Sequence, residues 1–141
     1  MPDDCAFCAI VSGQSEAEVV FEDELALAFL DFRPLFPGHS LLIPRAHHET
    51  LDDLPDELVE PYFRDARLLS VAIREAMGAQ GSFVAINNVV SQSVPHLHTH
   101  IVPRVRKDGL RGFFWPRRKY EHEAEMRAAG DAVRAAVERL A

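Results

Sequence analysis

The chain has 141 residues and a net charge of -7; 48% of its residues are hydrophobic and 26% are charged. This length and composition predict one soluble globular domain that spans residues 1–141. The negative charge argues against nonspecific binding of nucleic acid, and apolar runs of only a few residues argue against a membrane span.

Two cysteines, Cys5 and Cys8, lie near the start of the chain. The acidic residues before them lack the apolar region of a signal peptide, so we expect a cytoplasmic protein, in which a structural disulfide is unusual. Thiolates at this spacing bind one tetrahedral zinc or form a redox pair. A thioredoxin-like redox motif should follow a strand, and no strand is predicted here. A zinc site would need two further ligands.

Short apolar runs bounded by turn residues predict a mostly antiparallel sheet of about five strands. We expect the strands at residues 19–21, 25–30, 39–44, 82–87 and 96–104. Asp31 follows the second strand and His47 follows the third, at strand ends where functional side chains often lie.

One long helix is predicted in mid-chain and another at the end. The first begins within residues 52–56 and runs to about Met77, before Gly78. Pro61 should lie in its first turn or at a break before it, because an interior proline costs ~3 kcal/mol. The second helix spans residues 121–140, interrupted by Gly130. The order of elements predicts an α+β fold. The apolar face of the first helix consists of Leu58, Tyr62, Ala66, Leu69, Ile73 and Met77.

Three histidines at alternate positions, His96, His98 and His100, should project from one face of their strand. Adjacent imidazoles are rare in cores because each needs polar partners, so this pattern favours a reaction or metal centre. A neutral imidazole is a good nucleophile toward phosphorus. The three could instead bind one open zinc, but Cys5 and Cys8 would then lack partners.

Basic residues follow the histidine strand. Residues 104–119 contain seven lysines and arginines and one acid. One interpretation is a solvated basic loop; the other is a cationic rim that attracts a phosphate-bearing substrate toward the histidines.

Residues 92–104 (QSVPHLHTHIVPR) resemble the signature of the histidine triad (HIT) nucleotide hydrolases and transferases. Residues 30–47 resemble the nucleotide-binding strands of that family, and Cys5 and Cys8 match the cysteines of its zinc-binding members. The resemblance covers about residues 5–104. It implies a HIT-like α+β fold, a purine nucleotide or dinucleotide as ligand, and a homodimer.

The resemblance also implies a role for each site residue. His98 would attack the α-phosphate to form a nucleotidyl-histidine, which water then cleaves, while His100 would contact the same phosphate and orient His98. Asp31 would bind the ribose. The remaining substrate-binding candidates are His39, Asn87, Gln92 and Ser93.

For the metal, the resemblance pairs Cys5 and Cys8 with His47 and His96 in a closed structural zinc site. His48 is the alternative to His47.

Several residues depart from the family pattern. Thr99 stands where the family usually has a bulky apolar residue, and residues 88–91 lack the expected glycines. Asn87 or Asn88 could replace part of the role of this loop. Trp115 could close the site or lie in the core.

Three functions remain open. The leading one is a phosphohydrolase that cleaves a dinucleoside polyphosphate or a nucleoside phosphoramidate at the α-phosphate. The others are a nucleotidyltransferase or phosphorylase with the same covalent half-reaction, and a nucleotide-binding regulatory protein with little turnover.

Overall fold

The computed structural model describes residues 4–111 and 116–141, so Trp115 lies outside the described residues. Five antiparallel strands, one long helix and a C-terminal helix confirm the predicted α+β architecture. The elements in chain order are α1 (Ala6–Val11), β1 (Val19–Glu22), β2 (Ala26–Leu30), β3 (Ser40–Pro44), a 3-10 turn (Leu51–Asp53), α2 (Asp56–Ala76), β4 (Gly81–Ile86), β5 (Thr99–Arg104) and α3 (Glu123–Leu140).

The sheet has the strand order β1-β2-β3-β5-β4. The histidine-bearing strand β5 therefore lies between two neighbours, with Leu41 of β3 and Ala85 of β4 both opposite His100. An interior strand has both of its backbone edges hydrogen-bonded, so it is a rigid support for side chains that must be placed accurately.

The sheet is buried on both faces near its centre. Ala28, Leu42 and Ile101 pack in the cluster that contains the apolar face of α2. Phe29 and Leu41 pack with Phe7 of α1 on the opposite face. Burial on two faces explains why β2 and β3 read as unbroken apolar runs.

Helix α1 was not predicted from the sequence. The Cys5 sulfur accepts a hydrogen bond from the backbone N–H of Cys8 at 3.4 Å and so caps the helix N-terminus. Sulfur is a weak acceptor, and cysteine is not among the residues that usually signal a cap. One of the four predicted zinc ligands therefore also caps a helix.

Helix α2 continues through Pro61, so the prediction that this proline lies in the first turn or at a break is wrong. Pro61 is in the second turn, where it denies the carbonyl of Glu57 its helical partner. Glu57 is exposed, so water can satisfy that carbonyl. The predicted apolar face is buried at Tyr62, Ala66, Leu69 and Ile73, whereas Met77 is 44% exposed.

The chain divides after Asp108 into two compact units. In the second unit, α3 is continuous through Gly130, so the predicted interruption is wrong. The ring of His122 accepts a hydrogen bond from the N–H of Glu125 at 3.2 Å and caps this helix. Acidic residues in its first turn and Arg139 in its last match the helix dipole.

Strand β5 begins at Thr99, three residues later than predicted. Pro44 ends β3 and has no N–H to donate to the neighbouring strand. The N–H of Leu97 donates to the carbonyl of His48, outside the sheet, at 2.6 Å. The alternation of side chains nevertheless extends through this segment: Leu97 and Ile101 are both buried in the cluster that contains α2.

Thr99 is fully buried on the face of the sheet that contacts α2. The Tyr62 hydroxyl donates to the carbonyl of Leu42 at 2.8 Å, and the Thr99 hydroxyl lies 2.7 Å from the Tyr62 oxygen. Because the phenol has a single hydrogen, Thr99 donates to Tyr62. Burial raises the pKa of Tyr62, so the phenol stays protonated. A hydroxyl pair thus replaces the expected apolar contact.

Removing the hydroxyl of Tyr62 should lower the free energy of unfolding more than removing the hydroxyl of Thr99. Tyr62→Phe leaves two buried polar groups unpaired and should lower the free energy of unfolding by about 1–3 kcal/mol. Thr99→Val leaves the Tyr62–Leu42 bond intact and should cost only about 0.5–1.5 kcal/mol. The double variant should cost less than the sum, as measured by urea denaturation. Additive costs, within about 0.5 kcal/mol, would contradict the coupling.

Candidate active site and metal centre

The histidines of the signature face the side of the sheet that carries α1. The ring of Phe7 meets the rings of His96 and His98 edge-on, with centroids 5.9 and 5.0 Å apart. The rings of His98 and His100 are 5.2 Å apart. The three imidazoles therefore form one row, as predicted, and its two ends have different neighbours.

His96 lies at the end of the row that meets the cysteines. Its Nε2 lies 2.8 Å from the carbonyl of Pro44, and a carbonyl only accepts, so Nε2 carries the hydrogen. The lone pair of Nδ1 then points to the sulfurs of Cys5 and Cys8, at 3.5 and 3.6 Å. Nδ1 of His47 is 3.3 Å from the sulfur of Cys8.

These four ligand atoms fit a tetrahedral zinc ion. They lie within 4.8 Å of one another, and His47 rather than His48 completes the group. Zn–S and Zn–N bonds of about 2.3 and 2.1 Å at tetrahedral angles imply sulfur–nitrogen separations of about 3.6 Å. The observed separations of 3.3 to 3.6 Å match this value closely. The structure thus brings together the predicted metal ligands.

Burial governs the protonation of this group. It lowers the pKa of His96 to about 4, so the ring is neutral at pH 7 and able to bind a metal. Burial and the neighbouring Cys5 thiol raise the pKa of Cys8 to about 11. A buried thiol pair of this kind ionises readily only beside a cation, which a bound metal would supply.

His98 occupies the middle of the row and is only 3% exposed. Its Nδ1 lies 2.8 Å from the carbonyl of His96, so Nδ1 carries the hydrogen. The lone pair of the neutral ring is therefore on Nε2. This is the nitrogen that a nucleophilic histidine would use.

His100 and His39 are linked in a hydrogen-bond chain that starts at the backbone. The N–H of Leu35 donates to Nδ1 of His39 at 3.0 Å, so Nε2 of the neutral His39 ring carries the hydrogen. That Nε2 lies 3.0 Å from Nδ1 of His100 and donates to it. The hydrogen of His100 is then on Nε2, where it can donate to a ligand.

Burial lowers the pKa of His39, and it lowers that of His100 to about 4, with His98 and His39 adding to the effect. Both rings are therefore neutral at pH 7. Asp31 lies nearby, with Oδ2 3.7 Å from Nε2 of His39 and Oδ1 accepting from the N–H of Arg33 at 2.9 Å.

Asp31, His39 and His100 are close enough to hold a second metal ion. The hydrogen on Nε2 of His39 argues against that use, because it occupies the position that a metal would take. His39 is 3% exposed and both of its nitrogens have partners, so it reaches a ligand only through His100.

The remaining predicted substrate-binding residues lie in the loop between β4 and β5. Asn87 and Ser93 are exposed. Gln92 is half-buried, and its amide binds the backbone of Val89 and Glu49. Asn88 accepts a hydrogen bond from the N–H of Leu51 at 2.8 Å.

Sequence reasoning did not single out two residues near this site. Phe32 follows Asp31 and is 90% exposed, with the Arg33 guanidinium 5.7 Å from the centre of its ring. An aromatic ring so exposed beside a polar site is a natural stacking surface, and this exposure could not be read from the sequence. The other residue is Leu35, whose contribution is a backbone N–H.

The chain was compared with known proteins. A family model described as the HIT domain matches residues 12–107. A HIT family protein of known crystal structure from Bacillus subtilis is 35% identical, with a TM-score of 0.82 over 94% of this chain and 96% of that one. A zinc-bound histidine triad family protein from Mycobacterium smegmatis is 38% identical, with a TM-score of 0.72 over 97% and 95% of the two chains.

Among curated relatives, the adenosine 5'-monophosphoramidase of Schizosaccharomyces pombe is 34% identical over 131 residues, which cover 92% of this chain and 95% of the relative. Together with the fold and the row of histidines, these matches define the class of protein. The chain belongs to the HIT family. Within the described residues, no helix is both long enough and apolar enough to cross a membrane.

The hydrogen-bond chain predicts the tautomers of the neutral rings. Long-range ¹H–¹⁵N NMR spectra at pH 7 should show hydrogen on Nε2 of His39 and His100 and on Nδ1 of His98. Because the pKa of His100 is lowered to about 4, its ring should remain neutral down to about pH 5. His39→Leu removes the donor to His100, and its ring should then populate both tautomers. An unchanged His100 spectrum in this variant would contradict the chain.

Proposed function

We propose that the chain hydrolyses nucleotide conjugates at the α-phosphate through a covalent nucleotidyl-histidine on His98. One observation supports this most directly: the free lone pair on Nε2 of His98 lies beside a histidine whose Nε2 hydrogen is available. The first group is a nucleophile, and the second is a donor for a phosphoryl oxygen. The name of the fission yeast relative, a monophosphoramidase, supports the same class of reaction.

In the first step, Nε2 of His98 attacks the α-phosphorus while the bond to the leaving group breaks. The leaving group takes up a proton, and His100 donates a hydrogen bond to a non-bridging oxygen as charge moves within the phosphoryl group. The imidazole acquires positive charge, which the carbonyl of His96 stabilises through Nδ1–H.

In the second step, water attacks the same phosphorus. The bond to Nε2 breaks, its electron pair returns to His98, and the proton lost by the water passes to solvent. The nucleoside monophosphate is released and the ring is again neutral. His39 keeps the donor hydrogen of His100 on Nε2 throughout, so the site starts each cycle in the same state.

The nucleoside would lie on the β2 side of His98. Asp31 would accept hydrogen bonds from the ribose hydroxyls, and the exposed ring of Phe32 follows it.

Substitution of the nucleophile tests the mechanism. His98→Ala should reduce turnover of adenosine 5'-phosphoramidate and diadenosine tetraphosphate by roughly 10³-fold or more. Adenosine monophosphate should still bind, because Asp31 and Phe32 are unchanged. His122→Asn, which replaces a histidine outside the proposed site residues and keeps a helix cap, should have no effect.

Acid-quenched reactions of the unmutated protein should yield a nucleotidyl adduct on His98, detectable by mass spectrometry. If the unmutated protein turned over no adenylated substrate in a broad panel, the proposed hydrolysis would be wrong. The regulatory alternative, nucleotide binding with little turnover, would then be favoured.

A nucleotidyltransferase would use the same first step and pass the nucleotide to phosphate or a sugar phosphate. The residues of the site serve both reactions equally. Acceleration of adenylyl release by added orthophosphate would favour transfer over hydrolysis.

We also propose that Cys5, Cys8, His47 and His96 bind a structural zinc ion. The convergence of two sulfurs and two nitrogen atoms at tetrahedral spacing supports it, and so does the zinc-bound mycobacterial relative. Zinc in a site without an open position contributes to folding and to the position of its ligands. It would tie α1 to the residue whose carbonyl orients His98.

Metal analysis of the purified protein should therefore give about one zinc per chain. Cys8→Ser, which retains the Cys5 cap of α1, and His47→Asn should each remove the metal and lower Tm by roughly 10 °C. His48→Asn is the matched control and should retain both metal and Tm. A purified protein that is stable without metal and indifferent to these variants would contradict the proposal.

The other expectations from the sequence remain proposals. A homodimer is compatible with the edge position of β4 in the sheet and with the half-exposed Val84 on it. Exposed apolar side chains of α2 would add to such an interface: Val59, Phe63, Leu68 and Val71. A cytoplasmic location and the absence of a nucleic acid partner are also proposals.

A further inference from the structure

The loop between β4 and β5 contains two residues in a backbone conformation that favours glycine. Val89 has a φ of 67° and Ser91 a φ of 64°. This left-handed region is unfavourable for residues with a side chain, and most of all for β-branched ones. Val89 and Val90 are 75% and 79% exposed, so burial of their side chains does not stabilise the loop. Other contacts must hold it.

Two backbone hydrogen bonds lie within the loop, and the side chain of Gln92 provides further contacts. Its Oε1 accepts a hydrogen bond from the N–H of Val89 at 3.0 Å, and its Nε2 donates to the carbonyl of Glu49 at 2.5 Å. Asn88 adds a second connection by accepting from the N–H of Leu51. Both ends of the Gln92 amide are therefore engaged by the protein's own backbone.

The loop lies on one side of His98. Ile86, the last residue of β4, is opposite Thr99, so the chain leaves the sheet beside His98. Asp31 follows β2, on the other side of β5 in the strand order. A nucleoside at Asp31 with its phosphorus at His98 therefore directs the leaving group toward the loop.

We propose that Gln92 is a positioning residue that holds the loop of residues 89–91 in its left-handed conformation. The loop, rather than the Gln92 amide, then contacts the group that leaves the phosphorus. Ser93 follows Gln92 directly, so the same contacts also restrict the position of Ser93. The part of this inference that concerns the leaving group rests on the proposed hydrolysis.

A double-mutant experiment tests it with two substrates that share the adenylyl group. Adenosine 5'-phosphoramidate has a small leaving group and diadenosine tetraphosphate a large one. The variants are Gln92→Ala, Val89→Gly and their combination. Gln80→Ala is the matched control, because Gln80 also accepts a backbone hydrogen bond, from Arg106 at 3.1 Å, next to the opposite end of β4.

We expect Gln92→Ala to lower kcat/KM for the large leaving group by roughly tenfold more than for the small one. In the Val89→Gly background, Gln92→Ala should lower kcat/KM for the large leaving group by less than about threefold. Glycine adopts the left-handed conformation without a steric penalty, so the loop no longer needs the contacts of Gln92. Gln80→Ala should leave both values unchanged. The proposal would be overturned if Gln92→Ala lowered kcat/KM equally in the unmutated and Val89→Gly proteins, or equally for both substrates. Either result would mean that Gln92 binds the phosphate directly.

Amide hydrogen exchange gives a readout that does not depend on turnover. The Val89 amide should be protected from exchange in the unmutated protein and in Gln80→Ala. It should lose this protection in Gln92→Ala. Equal exchange in all three proteins would overturn the positioning role. If the unmutated protein cleaved neither substrate, the proposed hydrolysis and the leaving-group contact would fail together, while exchange would still decide the role of Gln92.

Discussion

The hydrogen bonds of His96 connect the two halves of the site. Its Nε2–H is bound to the carbonyl of Pro44, which leaves Nδ1 for the cysteine sulfurs, and its own carbonyl holds Nδ1–H of His98. One residue thus completes the candidate metal ligands and orients the proposed nucleophile. His96 joins the two candidate sites, and a change in its position would affect both.

Backbone groups determine the tautomers of the other histidines. A carbonyl can only accept and an N–H can only donate, so the carbonyl of His96 and the N–H of Leu35 leave no choice for His98 and His39. The tautomer of His100 is set by His39, which donates to its Nδ1 and so leaves the hydrogen of His100 on Nε2. Burial keeps the rings of His39 and His100 neutral at pH 7, and neutral rings are needed for these alternating donor and acceptor roles.

The sequence was sufficient to predict features that depend on periodicity and on residue type. The alternation of His96, His98 and His100 and the five strands follow from spacing. The set of four metal ligands came from the resemblance to the HIT family, because spacing alone left the partners of the cysteines open. Features that depend on tertiary contacts were not predictable. The sulfur of Cys5 caps a helix, and the buried ring of His39 binds His100 from a neighbouring strand. Neither contact leaves a local pattern in the chain.

Thr99, which departs from the usual family residue, shows that contacts on both faces of β5 determine the positions of the histidines. On the face that contacts α2, Thr99 lies between His98 and His100 in the chain and is fixed by the Tyr62 hydroxyl, which also binds Leu42 of the neighbouring strand. Through these hydrogen bonds, one residue of α2 contacts both β5 and β3 and fixes their positions relative to the helix. On the opposite face, the three histidines of the row are each held by one short hydrogen bond, to the carbonyl of Pro44, the carbonyl of His96 and the ring of His39 respectively. Accurate placement of polar groups therefore depends on a nearly apolar layer behind them, in which one hydroxyl pair is fully satisfied.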